Sequence, residues 1–224
     1  MRNGIKTWSY SRYGTYTQCP LKAKLKFIDK LSEPGSDAMD RGTAIHLLAE
    51  TFGTAPGRVP KLAAELAFFG DEFRLARRTP HFVEQEWGFT REWKPCTWDD
   101  PDVWLKAKAD LGFEPYKDHP DLLRLVDHKT GKRRDEHSNQ LSLYALCAFL
   151  LFDKINVVET EVWYLDQGKP VLKSLYNRSE VPMLKALWEQ NVKSMFNDTF
   201  FAPRPSYLCR WCHFRKDNGG PCRM

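Results

Sequence analysis

Two alternating segments in the middle of the chain constrain its fold more than any other feature. Val103 to Asp110 alternates apolar and polar residues, and Leu122 to Lys129 carries apolar residues at alternate positions up to an Asp-His-Lys triplet. A β-strand sends residues i and i+2 to the same face, so Asp127 and Lys129 are predicted to project together. If the two strands are neighbours, Asp110 and Asp127 can share one cation, with Lys129 beside it. Because Mg2+ and Mn2+ prefer oxygen ligands and neutralise charge in phosphoryl transfer, this pattern is typical of a hydrolytic metal site.

The periodicity of the flanking segments predicts an α/β protein built around one sheet. Apolar residues recur at helical spacing before residue 78 and again after residue 138, whereas the segments between and after them alternate or are rich in β-branched residues. The predicted helices span 11–28 in two pieces with Pro20 opening the second, 38–52, 61–78, 138–152 with Ser138 or Asn139 as its cap, and a last one capped by Ser179. The predicted strands span 81–90, 103–110, 122–129, 155–165 and 171–176. We expect a single domain over 1–224, with its core at about 38–200, an N-terminal helix at 9–30 and a tail at 203–224.

The charge distribution and the hydropathy limit the class of partner. The longest apolar run, Ala145 to Phe152, has eight residues, far short of the roughly 18 that a membrane helix needs. The N-terminal residues lack the apolar segment of a signal peptide, which predicts a cytoplasmic protein. Residues 1–30 carry seven Lys and Arg against one Asp, and residues 203–224 carry five against one. Two basic ends favour a polyanionic partner, and ordinary solvated surface charge is the open alternative.

Companion residues strengthen the interpretation of the Asp-His-Lys triplet, which alone indicates no more than a surface ion pair before a turn. His46 lies in a predicted helix, where its imidazole could complete the shell of a cation, although a lone helical histidine is usually structural. Gln140 and Tyr144 are four residues apart on the helix after the triplet, so both can face Lys129 or a substrate. A nearby cation and partial burial would both lower the pKa of Lys129, which could then orient or deprotonate a water.

This constellation resembles the RecB-like branch of the PD-(D/E)xK nuclease family over about residues 9–152. The family's order is a helical His, a strand Asp, a D/E-x-K triplet on the next strand and Q-x-x-x-Y on the following helix. The matching positions here are His46, Asp110, Asp127–Lys129 and Gln140–Tyr144. One departure is Ala107, where the family often has Gly. The resemblance implies a restriction-endonuclease-like α/β core, with a mixed central sheet flanked by helices and a small C-terminal Cys-cluster tail.

Four of the six cysteines predict a second metal centre. Cys209 and Cys212 form a C-x2-C pair, Cys222 follows after nine residues, and Cys19 lies near the other end of the chain. Four thiolates suit either an iron–sulfur cluster or a structural Zn2+, and the spacing alone does not separate the two.

The same family resemblance favours iron over zinc. The iron–sulfur RecB-like nucleases, which include CRISPR-associated exonucleases and the AddB nuclease domain, place one Cys before the nuclease core and three after it, so the resemblance implies a 4Fe–4S cluster. Zn2+ is the alternative, with His213 as a substitute ligand for Cys222. Cys147 lies on an apolar helix face and is interpreted as a core thiol, and Cys96 has no assigned role.

The resemblance implies a Mg2+- or Mn2+-dependent deoxyribonuclease, most simply an exonuclease on single-stranded DNA ends. It implies metal binding by His46, Asp110, Asp127 and the His128 backbone carbonyl, with Lys129 orienting the water. Gln140 and Tyr144 would hold the substrate or support the lysine. Glu84 and Glu86, on the first predicted strand, are either additional acidic groups of the site or, as we expect, residues that line the cleft or the surface. Two alternatives are an endonuclease of a CRISPR-type adaptation complex and a non-catalytic Cys-cluster DNA-binding scaffold; recombination and repair proteins are further partner classes. Candidate contacts to the DNA backbone or bases are Lys22, Lys24, Lys26, Arg210, Trp211, Phe214 and Arg215.

Overall fold

A computed structural model describes residues 4–57, 60–115, 118–133 and 137–224. The chain divides into two compact units: a core unit over 37–185, and a terminal unit that combines the two ends of the chain, up to Ser36 and from Ala186. The expectation of a single domain over 1–224 stays a prediction. No helix among the described residues is long and apolar enough to cross a membrane.

The core unit is built on a six-stranded mixed sheet. Its strands are β1 (His81–Phe89), β2 (Pro95–Cys96), β3 (Leu105–Phe113), β4 (Leu122–Lys129), β5 (Val157–Tyr164) and β6 (Gly168–Asn177). Their order across the sheet is β2-β1-β3-β4-β5-β6. β4 and β5 are parallel, and the other neighbouring pairs are antiparallel. The predicted α/β class with a mixed sheet flanked by helices is therefore confirmed.

Helices cover both faces of this sheet, as the alternation of the strands requires. On one face, α3 (Asp37–Thr54), a 3-10 helix (Ala64–Phe69) and α4 (Gly70–Ala76) pack on strand residues that include Leu111, Val126 and Trp163. On the other face, α5 (His137–Leu151) packs on Val162 and Tyr164. Trp163 and its neighbours Val162 and Tyr164 thus point to opposite sides, with the period of two of a strand.

α5 differs from the amphipathic helix that its sequence predicts. The apolar set Leu141, Tyr144, Cys147, Ala148 and Phe152 was expected to mark one buried side, but every residue from 141 to 149 is buried. A helix that is apolar on all sides is buried on all sides. The helix begins at His137. Ser138 and Asn139 therefore lie inside the helix, and neither is the N-terminal cap that was predicted.

Three other local predictions are wrong in detail. The predicted helix over 61–78 is a 3-10 helix followed by the short α4. β2 was not predicted. The last α-helix, α6 (Val181–Asn197), is preceded by a 3-10 turn in which Asn177 and Glu180 form a reciprocal capping box. The predicted cap at Ser179 is therefore wrong. The reciprocal box satisfies two terminal N–H groups at once, which a single serine does not.

The terminal unit has its own aromatic core. Its N-terminal helices are α1 (Tyr10–Gln18) and α2 (Pro20–Ala23), which continues as a π-helical turn over Lys24–Ile28. Pro20 occupies the first position of α2, as predicted, where its missing N–H costs no hydrogen bond. Trp8 stacks on Trp188 at 5.7 Å between ring centroids, and the Tyr16 hydroxyl donates to Asp198 at 2.9 Å.

Candidate active site

The two carboxylates predicted to share a cation lie at the point where the pairing of β3 and β4 ends. The antiparallel pairing extends to Leu111 opposite Val126, and Asp110 and Asp127 are the next residues on the two strands. Asp110 is 8% exposed and Asp127 1% exposed. The strands are tied together at this point, because the backbone N–H of His128 donates to Asp110 Oδ2 at 2.6 Å.

The electrostatics of this pair favour a cation. Burial, and next the charge of Asp127, raise the pKa of Asp110 to about 7, against smaller opposing effects of His46 and Lys129. The raised pKa means that burial and Asp127 disfavour the ionised form of Asp110. A bound divalent cation would stabilise that ionised form. The chemistry of the site therefore fits Mg2+ or Mn2+.

Asp127 is held from α5 by a chain of hydrogen bonds. The Gln140 amide donates to Asp127 Oδ1 at 2.9 Å and to the Tyr144 hydroxyl at 2.7 Å. The Tyr144 hydroxyl in turn donates to the backbone carbonyl of Lys108 on β3, at 2.8 Å. The Gln-x-x-x-Tyr pair thus links α5 to both carboxylate-bearing strands, and it contacts Asp127 rather than Lys129.

Lys129 lies beside Asp127 as the alternation predicts, with Nζ 2.6 Å from Asp127 Oδ2. The predicted lowering of its pKa counts on a bound cation, and the surrounding protein groups act against it. Burial acts to lower the pKa of Lys129, but Asp127 and Asp110 outweigh burial, so the pKa is raised. These neighbours hold Lys129 as an ammonium, which suits orienting a water better than deprotonating it.

His46 and Glu84 extend the cluster on the side of β1. His46 Nδ1 lies 3.8 Å from Asp110 Oδ1 and 3.9 Å from Glu84 Oε1. The register of β1 and β3 places Glu84 opposite Asp110, and Glu84 also pairs with Lys108 at 2.6 Å. Burial acts to lower the pKa of His46, but the two carboxylates raise it. Of the two glutamates expected to line a cleft or the surface, Glu84 is therefore the one that belongs to the site.

Glu84 is also conformationally unusual. Its φ of +52° lies in the left-handed region, in the middle of a strand. A non-glycine residue in this region costs on the order of 1–3 kcal/mol and is concentrated at functional sites. The period-2 alternation of β1 could have identified Glu84, but no sequence signal shows the strain.

The imidazole of His128 takes part in the cluster in a way the sequence did not predict. The ring is 2% exposed, neither of its nitrogens has a hydrogen-bond partner among the described residues, and burial lowers its pKa to about 3. A ligand atom from each of His46, Asp110 and His128 lies within 4.8 Å of the others. Two imidazoles and a carboxylate are ordinary transition-metal ligands. Asp127 is not part of this triplet. The atom of His128 that was predicted to bind the metal is its backbone carbonyl oxygen, not a ring nitrogen.

The turn after Lys129 is fixed by a residue that the sequence analysis missed. Gly131 has φ +85°, a conformation that favours glycine, and its N–H donates to the carboxylate of Asp166 at 2.9 and 3.0 Å. Arg41 also donates to Asp166, at 2.8 Å. Asp166 lies just after the end of β5. An acidic residue at that position is the only feature of the sequence that could have indicated its role.

The four predicted cluster cysteines lie together in the terminal unit. Cys19, Cys209, Cys212 and Cys222 line one cavity of about 170 Å3, which His213 does not line. Backbone N–H groups lie at 3.4 Å from the sulfur of Cys19 and at 3.3 Å from that of Cys209, as suits thiolates that bind a metal centre.

The other two cysteines lie apart from this cavity. Cys147 is buried in α5, where burial raises the pKa of its thiol, and Cys96 lies in β2.

The residues predicted to contact DNA differ in availability. Lys22 and Lys26 both pair with Glu33, at 2.8 and 2.9 Å, and Lys24 pairs with Asp29 at 2.6 Å. Arg215 pairs with Asp217 at 2.7 Å. Trp211 is 62% exposed, and the Arg210 guanidinium lies 3.7 Å from its ring centroid. Phe214 is 2% exposed, so its predicted stacking on bases is wrong.

Comparisons with known proteins were made on the whole chain. The family model described as the PD-(D/E)XK nuclease superfamily matches residues 7–216, and no curated protein matches. Among solved structures, a "Putative exonuclease" from Eubacterium rectale has 12% sequence identity and a TM-score of 0.53, covering 94% of this chain and 88% of that one. LHK-Exo in complex with dAMP has 12% identity and a TM-score of 0.40, covering 86% and 90%. The likeness to the Eubacterium rectale structure shows a shared fold.

Proposed function

The chain belongs to the PD-(D/E)XK nuclease superfamily, and on that premise we propose that it is a Mg2+- or Mn2+-dependent deoxyribonuclease. The observation that carries the proposal is the pair of buried carboxylates Asp110 and Asp127, whose charges act on each other, with the Lys129 ammonium 2.6 Å from Asp127. The exonuclease name of the Eubacterium rectale protein, whose fold this chain shares, motivates the assignment of exonuclease activity on single-stranded DNA ends.

Each residue of the site has a proposed role. Asp110, Asp127 and His46, together with the His128 backbone carbonyl, would hold the cation. The bound cation supplies charge neutralisation at the scissile phosphate and lowers the pKa of its water. Lys129 donates a hydrogen bond that orients the attacking water. Gln140 and Tyr144 fix the position of Asp127 and so keep the carboxylate pair aligned.

The proposal is tested by Mn2+-dependent degradation of single-stranded DNA labelled at either end. Asp127→Asn and Lys129→Met remove the charge of a metal ligand and of the water-orienting group, and each should lower the rate at least about 100-fold, the scale of losing one electrostatic stabiliser. Asp99→Asn is the matched control, since Asp99 is a carboxylate with a side chain 95% exposed; its rate should stay that of the unaltered protein. Full activity in Asp127→Asn would overturn the assigned site, and absence of Mn2+-dependent degradation by the unaltered protein would leave only the non-catalytic DNA-binding scaffold.

A circular single strand separates the exonuclease from an endonuclease of the kind expected in a CRISPR-type adaptation complex. An exonuclease leaves circles intact and shortens linear strands from one end. Cleaved circles would replace the exonuclease assignment with an endonuclease.

For the terminal unit we propose a 4Fe–4S cluster held by Cys19, Cys209, Cys212 and Cys222. The purified protein should be brown, with absorbance near 400 nm and iron bound. Cys19→Ser should lower the bound iron, whereas Cys96→Ser, which alters a cysteine outside the cavity, should not. A colourless preparation with stoichiometric zinc would assign the site to structural Zn2+.

A further inference from the structure

The terminal unit contains a second cavity, of about 380 Å3, beside the short 3-10 helix Tyr207–Trp211. Its lining includes Pro205, Ser206, Tyr207, Arg210 and Arg215. The volume falls within the range of about 300–1,000 Å3 that is usual for ligand sites. Tyr207 is 74% exposed, which leaves most of a large aromatic surface open at the rim of this cavity.

The groups around the cavity are held in position. The Arg210 guanidinium lies 3.7 Å from the centroid of the Trp211 ring. Tyr207 meets the same ring edge to face, at 6.3 Å and 88°. The 3-10 helix is itself capped, since the Ser206 hydroxyl accepts from the Leu208 N–H at 3.3 Å. An aromatic ring and a guanidinium that are already ordered lose little conformational entropy when they stack on a ligand.

The chemistry of this surface matches one class of ligand. The exposed Tyr207 ring offers a stacking face, and Arg210, which also lines the cavity, offers a guanidinium donor that suits phosphate. Residues 203–224 carry five Lys and Arg against one Asp, so the surroundings attract a polyanion. A base in a duplex has both faces covered by its neighbours, so an exposed side-chain ring can stack only on an unpaired base.

We propose that the cavity beside Tyr207–Trp211 is a stacking slot for one unpaired base of single-stranded DNA, with Arg210 on the adjacent phosphate. This inference rests on the proposed nuclease function and specifies how the substrate strand is held. It adds Tyr207 to the candidate DNA contacts, and it gives Trp211 and Arg210 a shared role in place of independent ones.

The test is the affinity of the full-length protein for fluorescent oligo-dT, measured by anisotropy in the cleavage-deficient Asp127→Asn background. When an aromatic ring that stacks on one base is replaced by alanine, Kd rises roughly 5- to 150-fold. We expect a rise in this range for Tyr207→Ala, which alters a residue outside the cysteine cavity. Trp211 does not line this cavity but holds the Arg210 guanidinium, so Trp211→Ala should raise the Kd less than Tyr207→Ala does, and Trp211→Phe should recover most of the affinity.

The matched control is Phe200→Ala, because Phe200 is 82% exposed and does not line the slot. Its Kd should stay within about twofold of the parent, within the ±0.5 kcal/mol of ordinary surface substitutions. Bound metal is measured in every variant, because Trp211 also lines the cysteine cavity. A duplex of the same sequence should bind equally well to the parent and to Tyr207→Ala.

Unchanged oligo-dT affinity in Tyr207→Ala and Trp211→Ala, or an equal loss in Phe200→Ala, would overturn the slot. Equal losses for duplex and single strand would also overturn it, because that pattern requires no stacking. These outcomes are independent of the nuclease proposal. A protein that degrades DNA but binds oligo-dT equally well in all variants has the active site without the slot, and one that shows the stacking losses but no hydrolysis has the slot without the activity.

Discussion

Replacing Asp110 by asparagine should stabilise the protein at neutral and alkaline pH, although it removes a candidate metal ligand. The carboxyl is buried next to Asp127, and its pKa rises from 3.8 to about 7. Because the folded state holds the proton more tightly than the unfolded state, the stability contributed by this group falls as pH rises from about 4 to about 7. Asparagine keeps the shape and an oxygen acceptor for the His128 N–H, but it carries no charge.

The magnitude follows from the pKa. At about 1.36 kcal/mol per unit, a rise from 3.8 to about 7 corresponds to roughly 4 kcal/mol in full. Between pH 5 and pH 8 the advantage of Asp110→Asn over the unaltered protein should grow by roughly 2–3 kcal/mol. The shift belongs to the coupled carboxylate pair, so the growth with pH is a sharper test than the absolute difference.

The assay is urea unfolding of both proteins at pH 5, 6, 7 and 8 in buffer without divalent salts. Asp99→Asn, which alters an exposed carboxylate, is the control and should show no pH-dependent advantage. Adding Mn2+ at about 100 times its Kd should stabilise the unaltered protein by about 2.7 kcal/mol, and Asp110→Asn much less. Parallel stability curves for the two proteins from pH 5 to pH 8 would refute the reasoning that the carboxylate pair is under electrostatic stress.

Three further substitutions test other contacts. Tyr144→Phe removes the hydroxyl that donates to the Lys108 carbonyl and should lower the free energy of unfolding by about 1–3 kcal/mol, together with the rate of hydrolysis; an unchanged urea midpoint would contradict this. Arg124→Ala removes a side chain that donates two hydrogen bonds to the buried Glu161. It should lower the free energy of unfolding by about 3–5 kcal/mol at pH 7 and leave hydrolysis per folded molecule unchanged. Because the pKa of Glu161 is lowered to about 2, this loss of stability should become smaller as pH falls below 4.5. Gly220→Ala should lower the metal bound to the cysteines, because its Cβ would overlap the Phe214 backbone; Gly14→Ala, with open space at the same atom, is the control, and equal metal in both would contradict the clash.

The sequence predicts the elements whose periodicity is uninterrupted and fails where a contact from elsewhere decides the structure. β4 has the predicted bounds, because alternation runs from Leu122 to Lys129 and a glycine turn follows. β2 has only two residues, which is too short to show the alternation of polar and apolar residues that predicts a strand. It pairs beside Gly88, where a Cβ would lie 2.7 Å from the Thr97 carbonyl oxygen. That requirement is visible only when both segments are in place.

The candidate site divides along the same line. Residue types and order are enough to predict that Asp110, Asp127 and Lys129 lie close together, because strand geometry alone brings them together. The sign of the Lys129 pKa shift depends on whether burial or the two carboxylates dominate, and distances decide that question. The left-handed φ of Glu84 likewise has no signature in the sequence.

Asp110 and Asp127 differ from another buried acidic residue of the same sheet in how their charges are satisfied. Glu161 on β5 is as buried as Asp127, yet it accepts from Arg124 at 2.8 and 2.9 Å and from the Trp163 indole at 2.6 Å, and Lys173 lies 2.6 Å away. Despite burial, these partners lower the pKa of Glu161 to about 2. The charge on Glu161 is satisfied by the fold itself.

The charge on Asp110 is not satisfied in this way. Its neighbours include a second carboxylate, and its pKa is raised to about 7 by burial and by that carboxylate. Both acidic residues lie in strands and both are nearly inaccessible, so burial and sequence pattern alone do not separate them. The difference is that the cationic neighbours of Asp110, His46 and Lys129, do not outweigh burial and the second carboxylate, and a divalent cation would supply the additional positive charge.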